Sequence, residues 1–181
     1  MCSNTKQKIA VALRQLMQER PFQKLPVQNL MDATNMKRQS FYYHFQDTRD
    51  VLMWICQQEL AQPLSGCDLE FTEWILYALT LLDKDRAFYR RVLSAAHPEF
   101  VREFGGQVIR PRVIAQLYGS RLSQQLNANE QFAVDFITQG VTNWMIQFIC
   151  SRKCLDLDDT RNKVAYLLDT LSLRLGAVDN T

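Results

Sequence analysis

Apolar residues recur at steps of three and four along nearly the whole chain, the period of helices with one buried face. Ile9, Leu13, Leu16 and Met17 share a face and predict a first helix over about Thr5 to Glu19, ended by Pro21. The segment Val27 to Phe45, VQNLMDATNMKRQSFYYHF, then reads as a short helix, a tight turn and a second short helix. Leu30, Met31 and Ala33 are inward positions on the first of these, Met36 fills the turn, and Phe41 and Phe45 pin the second from beneath. Asp47, with Asp50 three residues on, opens a further helix as a weak capping box. That helix carries Val51, Leu52, Ile55 and Leu60 and is expected to stop before Pro63, with Gln62 to Gly66 a loop by composition. Helical stretches follow at about 69–83, 85–96 and 99–118, the last interrupted at Pro111 after Gly105-Gly106. No run has the two-residue period of a strand and there is no internal repeat. The expected class is all-α.

The last two predicted helices are apolar over more surface than one neighbouring layer covers. From Glu130 to about Arg152, Phe132, Phe136, Gly140, Trp144 and Phe148 recur every four residues, with Val141, Met145 and Ile149 as a second stripe. Val164, Leu167, Leu168, Leu171 and Leu175 line the final helix. Packing inside one monomer is the simpler reading. The sharper one is a homodimer in which two helices from each subunit form a four-helix bundle, with Trp144, Phe148, Leu168 and Leu171 at the interface.

The polar side chains of the second short helix are of one kind. Lys37, Arg38, Gln39, Ser40, Tyr42, Tyr43 and His44 are donors or amphipathic rings, and none is a carboxylate. Such a helix suits the major groove of double-stranded DNA, where cations neutralise phosphates and guanidinium or amide groups read base edges. Arg38 and Gln39, near its start, are the candidates for base edges; Tyr42, Tyr43 and His44 are candidates for backbone positioning.

These residues carry a family resemblance. Thr5 to Leu52 resembles the DNA-binding head of the TetR/AcrR family of bacterial transcription regulators, whose motif ends in a Leu/Phe-Tyr-x-His/Tyr-Phe pattern, here Phe41-Tyr42-Tyr43-His44-Phe45. The spelling Lys37-Arg38-Gln39-Ser40-Phe41-Tyr42 also resembles the subgroup that includes the transcriptional coactivator of dihydroxyacetone kinase. Two positions depart from the family pattern. Thr48 stands where many members carry a phosphate-contacting Lys, and Pro26-Val27 where many carry a Ser or Thr. The resemblance implies a three-helix head over residues 1–46 and a helical effector-binding and dimerisation domain over 47–181. It also implies a dimer on a palindromic operator controlled by an effector, most simply as a ligand-relieved repressor. The alternative is a coactivator whose C-terminal domain binds a partner protein. The effector, whether small molecule, metal ion or protein, is not written in the sequence; an enclosed pocket of a few hundred cubic ångströms would favour a small molecule.

Charge agrees with a nucleic-acid-facing end. Residues 1–50 hold eight Lys or Arg against four acids, whereas the whole chain is only +2, so the remainder is mildly acidic. A local excess of that size also arises on an ordinary solvated face and gains weight only beside the helix-turn-helix pattern. The start of the chain is polar and basic with no apolar segment behind it, and the longest charge-free stretch, 136–151, is broken by polar residues. The sequence therefore predicts neither signal peptide nor membrane span. Five cysteines without regular spacing fit a cytoplasmic protein.

Cys150 and Cys154, four apart, would share a helix face, and Cys67 and His97 are conceivable further ligands; buried or inert cysteines are the simpler reading, so no metal or other cofactor is expected. Phe71, Trp74, Tyr77, Phe88, His97, Phe104 and Tyr118, with Arg86, Arg90 and Arg91 nearby, mark a sensor region, although core filling explains any one of these aromatics as well. There is no Gly-rich phosphate loop, His-Glu-x-x-His or nucleophile elbow, and only two histidines. An enzyme is not expected.

Overall fold

The structure is a computed structural model describing residues 2–95, 98–119 and 123–175, with side chains described over 4–93, 101–119 and 124–170. Every regular element among the described residues is helical, with no strand. Helix α1 (Cys2–Glu19) buries Ile9, Leu13 and Met17 as its periodicity predicts. A 3₁₀ turn (Phe22–Lys24) follows Pro21 and leads to α2 (Val27–Thr34) and α3 (Arg38–Tyr42). Next come α4 (Thr48–Cys56), a single π-helical turn (Gln57–Ala61) and α5 (Gln62–Ser65). The remainder is α6 (Phe71–Lys84), α7 (Arg86–Ala95), α8 (Pro98–Val108), α9 (Arg110–Tyr118), α10 (Ala128–Cys150) and α11 (Leu157–Leu175).

Two expectations about local structure fail for identifiable reasons. The chain does not stop before Pro63. Proline removes the amide that an α-helix would use at that point and crowds the carbonyl four residues back. The π-turn ahead of it widens the backbone, with Gln62 N–H bonding to Gln57 O, and lets helix continue to Ser65. Composition identified a loop where a bulge keeps the rod intact. Ala33 is exposed rather than inward-facing, because in α2 only Leu30 and Met31 turn to the core.

Helix α10 is the axis of the body and packs against α6, α7, α8 and α9, while α11 lies on α6. Its start is fixed by a full capping box: Asn127 Oδ1 accepts from the Asn129 and Glu130 amides at 3.0 Å, and Glu130 Oε2 accepts from the Asn127 amide at 2.8 Å. Its end is held from α7. Arg86 donates to Phe148 O and Arg90 donates to Ile149 O at 3.1 Å and Ser151 O at 2.9 Å, placing two cations on the carbonyls at the C-terminal end of the helix. Those arginines, placed with the sensor by sequence, work as a C-terminal cap.

The buried face of α10 is Val134, Thr138, Val141, Met145 and Ile149. The other stripe points outward: Phe132 and Phe136 are 72% and 70% exposed, their rings stacked with centroids 6.1 Å apart, and Trp144 and Phe148 are half-buried. On α11, Val164 is buried, Leu168 half-buried, and Tyr166 and Leu167 exposed. Leu171 belongs to α11, but its side chain lies outside the described residues, as does His97 altogether.

Candidate nucleic-acid interface and effector cavity

The helix-turn-helix is built by its turn. Asn35 caps α2 in the left-handed region (φ 52°, ψ 43°), a conformation that Asn tolerates better than most side chains. Met36 N–H then bonds back to Met31 O at 3.0 Å, so the chain reverses within two residues. Pro26 precedes α2 with no side-chain cap, and its missing amide costs nothing at that position. The recognition element is shorter than the sequence pattern suggested. Lys37 is extended and caps α3 from outside, and Tyr43 and His44 continue as a hydrogen-bonded turn in which His44 and Phe45 amides both reach Phe41 O.

Phe41 and Phe45, 1% and 2% exposed, anchor this element, with Phe45 edge-on to Trp54 of α4 at 6.1 Å. The opposite face holds all seven predicted contact residues together. Lys37, Arg38, Gln39, Ser40, Tyr42 and Tyr43 are exposed and His44 is half-buried, its ring edge-on to Tyr43 at 4.9 Å. Arg38 lies 5.4 Å from the Tyr42 ring, and its guanidinium donates to the Tyr42 hydroxyl at 3.5 Å. That contact is long and exposed, so it limits the side chain's freedom at little cost to its reach.

Behind the motif, α4 starts on Asp47, whose side chain accepts the Asp50 amide at 2.8 Å. The reciprocal bond of a capping box is displaced by one residue, from the Gln46 amide to Asp50 Oδ2 at 3.0 Å. The head meets the body at Arg14 of α1. Its guanidinium donates to Glu59 in the π-turn and to Asp85 at the corner between α6 and α7, and its face lies 3.9 Å from the Phe88 ring centroid. Tyr89 completes the junction by donating its hydroxyl to Glu59 Oε2 at 3.1 Å. Burial, and then the Glu59 carboxylate, push the Tyr89 phenol well above its ordinary range. The same causes raise the neighbouring Cys56 thiol to about 12. Nothing in the helical periodicity linked Arg14, Glu59 and Asp85; the three are far apart in sequence and one lies on an irregular turn.

Tyr89 also faces a cavity. A chamber of about 100 Å³ lies among α4, the π-turn, α6, α7, α8 and α10, with walls formed by Cys56, Leu60, Trp74, Tyr89, Phe104 and Met145 among others. Of the aromatics marked by sequence, Trp74 and Phe104 reach it; Phe71 and Phe88 are buried elsewhere in the core, and Tyr77 and Tyr118 pack half-buried against it. Most of its wall is aliphatic, which carries no sequence signal distinct from core. Cys150 and Cys154 do not share a helix face, because α10 ends at Cys150 and Ser151 is extended. Cys67 instead bonds to Leu64 O, and Arg112 donates to its carbonyl. Among the described residues no three metal-ligating side chains converge, and no helix is long and apolar enough to cross a membrane.

No protein-family model matches the chain. Over 91 residues it is 29% identical to the HTH-type dhaKLM operon transcriptional activator DhaS of Lactococcus lactis subsp. lactis (strain IL1403), which is 49% of this chain and 48% of the relative. The match thus spans about half the length of that curated relative. A solved structure, the dihydroxyacetone kinase operon activator DhaS, superposes over 92% of this chain and 95% of its own with a TM-score of 0.63 at 20% identity. The two chains share a fold. The fold is all-helical, with a helix-turn-helix head on a larger helical body, and the relatives that carry it are transcriptional activators, not enzymes.

Proposed function

We propose that the protein is a DNA-binding transcription regulator, a homodimer that reads a palindromic operator and is controlled by an effector held in residues 47–181. The observation that carries this reading is the exposed face of Lys37, Arg38, Gln39, Ser40, Tyr42, Tyr43 and His44, presented by a short helix that Phe41 and Phe45 anchor from behind. The part similar in sequence to a transcriptional activator supports it, as does the shared fold. Both named relatives are activators, which favours activation over the ligand-relieved repression that the family resemblance implies.

The dimer reading draws on the outward stripe of α10. Phe132 and Phe136, with Tyr166 and Leu167 on α11, are large apolar groups exposed on the two C-terminal helices. Trp144, Phe148 and Leu168, half-buried in the monomer, lie on the same two helices and would lose their remaining exposure in a four-helix contact. A two-fold pair places its recognition helices one DNA turn, roughly 34 Å, or a multiple apart. The apolar chamber alone is smaller than an ordinary ligand site, so a partner protein as effector stays as the second reading, favoured by the same exposed aromatics.

Selection of bound fragments from genomic DNA, followed by titration of the recovered site, tests the proposal. Arg38→Ala is expected to weaken the selected site by about 1–3 kcal/mol and to affect random DNA less, the signature of a base contact. Equal losses on both would confine Arg38 to phosphate, and absence of DNA affinity at low salt would overturn the reading.

A further inference from the structure

The apolar chamber lies beside a second space of opposite character. A groove of about 540 Å³ between α8 and α10 shares Leu93, Val101, Thr142 and Ile146 with the chamber as common wall. The two helices meet closely at this sill: a Cβ added to Gly105 would lie 2.8 Å from Thr142 Oγ1. At Gly106, by contrast, a Cβ would meet nothing within 4 Å, and there the groove opens.

The groove adds polar and charged side chains to its apolar wall. Arg102, Gln139 and Asn143 face it, and Arg110 is matched in charge by Asp135 at 2.9 Å, which leaves Arg102 to set the sign of the field. At its base stands Thr138, 6% exposed, whose Oγ1 has no hydrogen-bond partner. A helical threonine ordinarily bonds back to the carbonyl four residues earlier, as Thr142 does to Thr138 O at 2.7 Å. Thr138 forgoes that bond, and a buried hydroxyl left unsatisfied costs stability in the empty protein. Such a group is retained at no loss where a ligand supplies its partner.

Resting on the effector-controlled reading above, we propose that chamber and groove together bind a small amphipathic carboxylate. Its hydrocarbon tail enters the chamber, and its carboxylate meets the Arg102 guanidinium and, once the Thr138 side chain turns about χ1, the hydroxyl that the empty protein keeps from solvent. A dry apolar cavity of roughly 150 Å³ accepts benzene, so this one takes a tail of about four or five carbons. Because Leu60 of the π-turn and Cys56 of α4 form part of the chamber wall, a seated tail presses on the rod that carries the head.

Calorimetric titration of the full chain with straight-chain carboxylates from butanoate to octanoate tests this, with acetate and the matching primary alcohols as controls. Affinity is expected to rise with tail length, to stop rising once the chamber is full, and to fall for the alcohols and acetate. Thr138→Val keeps the side chain's shape and removes the hydroxyl; it is expected to lower carboxylate affinity about five- to tenfold while leaving folding stability equal or higher. Arg102→Gln, a change at an exposed position, is expected to lower it as well. The proposal is overturned if no carboxylate binds more tightly than about 1 mM, or if Thr138→Val binds them unchanged. DNA titration of the same preparations keeps the two ideas apart. A protein that binds DNA and no carboxylate loses this site and keeps its regulatory reading; one that binds carboxylates and no DNA does the reverse.

Discussion

Arg14 is the most informative single residue to perturb, because one guanidinium joins the head to two separate parts of the body. Arg14→Met keeps an unbranched aliphatic side chain and removes the charge, the donors and the guanidinium over Phe88. Its side chain is 21% exposed, but Glu59 and Asp85 are 41% and 47% exposed, so water screens both ion pairs. Each pair therefore contributes on the order of 0.2–1 kcal/mol rather than the several of a buried bridge. The cation over Phe88 at 3.9 Å adds about 0.5–1 kcal/mol. The expected loss is about 1–3 kcal/mol, or a fall of a few degrees in Tm at roughly 2–4 °C per kcal/mol for a chain of this size.

Urea denaturation followed by circular dichroism measures that loss, and a double-mutant cycle with Glu59→Gln isolates the pair. A favourable coupling of about 0.5 kcal/mol is expected from the cycle. In a functional assay, Arg14→Met is expected to leave carboxylate affinity in place while shrinking the change in operator affinity that the carboxylate produces. A stability loss under about 0.5 kcal/mol together with zero coupling would refute the claim that Arg14 links head and body.

Phe136→Glu places a carboxylate on the exposed stripe of α10, where each change acts twice across a two-fold contact; light scattering is expected to show monomer with helix content intact, and a folded dimer would place the interface elsewhere. Stability is expected to fall as pH rises above about 9: Cys56 and Tyr89 are held neutral in the folded protein but ionise nearer their ordinary values when unfolded, so their contribution is complete below that pH and drains away toward 12. Each group adds a slope of at most about 1.4 kcal/mol per pH unit, and denaturation at about pH 8 and about pH 10 should show a shallower slope for Cys56→Ala than for the parent. Gly105→Ala pushes Thr142 off α8 and is expected to cost about 1–3 kcal/mol in denaturant titration, whereas Gly106→Ala, with open space, costs nothing measurable or stabilises the helix.

Local chemistry determined most of the head. A three- and four-residue apolar period, an Asn able to turn left-handed and two phenylalanines spaced by four fix a helix-turn-helix and decide which side chains face out, because those choices depend on neighbours within one or two turns. The capping residue Asp47 was legible for the same reason, whereas the Asn127 cap was not read from the sequence. Periodicity also found both stripes of α10 but did not say which one the monomer buries. That was decided by the neighbours: α6, α7, α8 and α9 cover Val134, Val141 and Met145 and leave Phe132 and Phe136 outside. The continuation of the rod through Pro63, the joining of Arg14 to Glu59 and Asp85, and the meeting of an apolar chamber with a groove over Thr138 depend on residues far apart in the chain. No spacing rule connects such residues. Their contacts arise only when helices pack, since packing sets which ridges meet, where a bulge is absorbed and which hydroxyl is left without a partner.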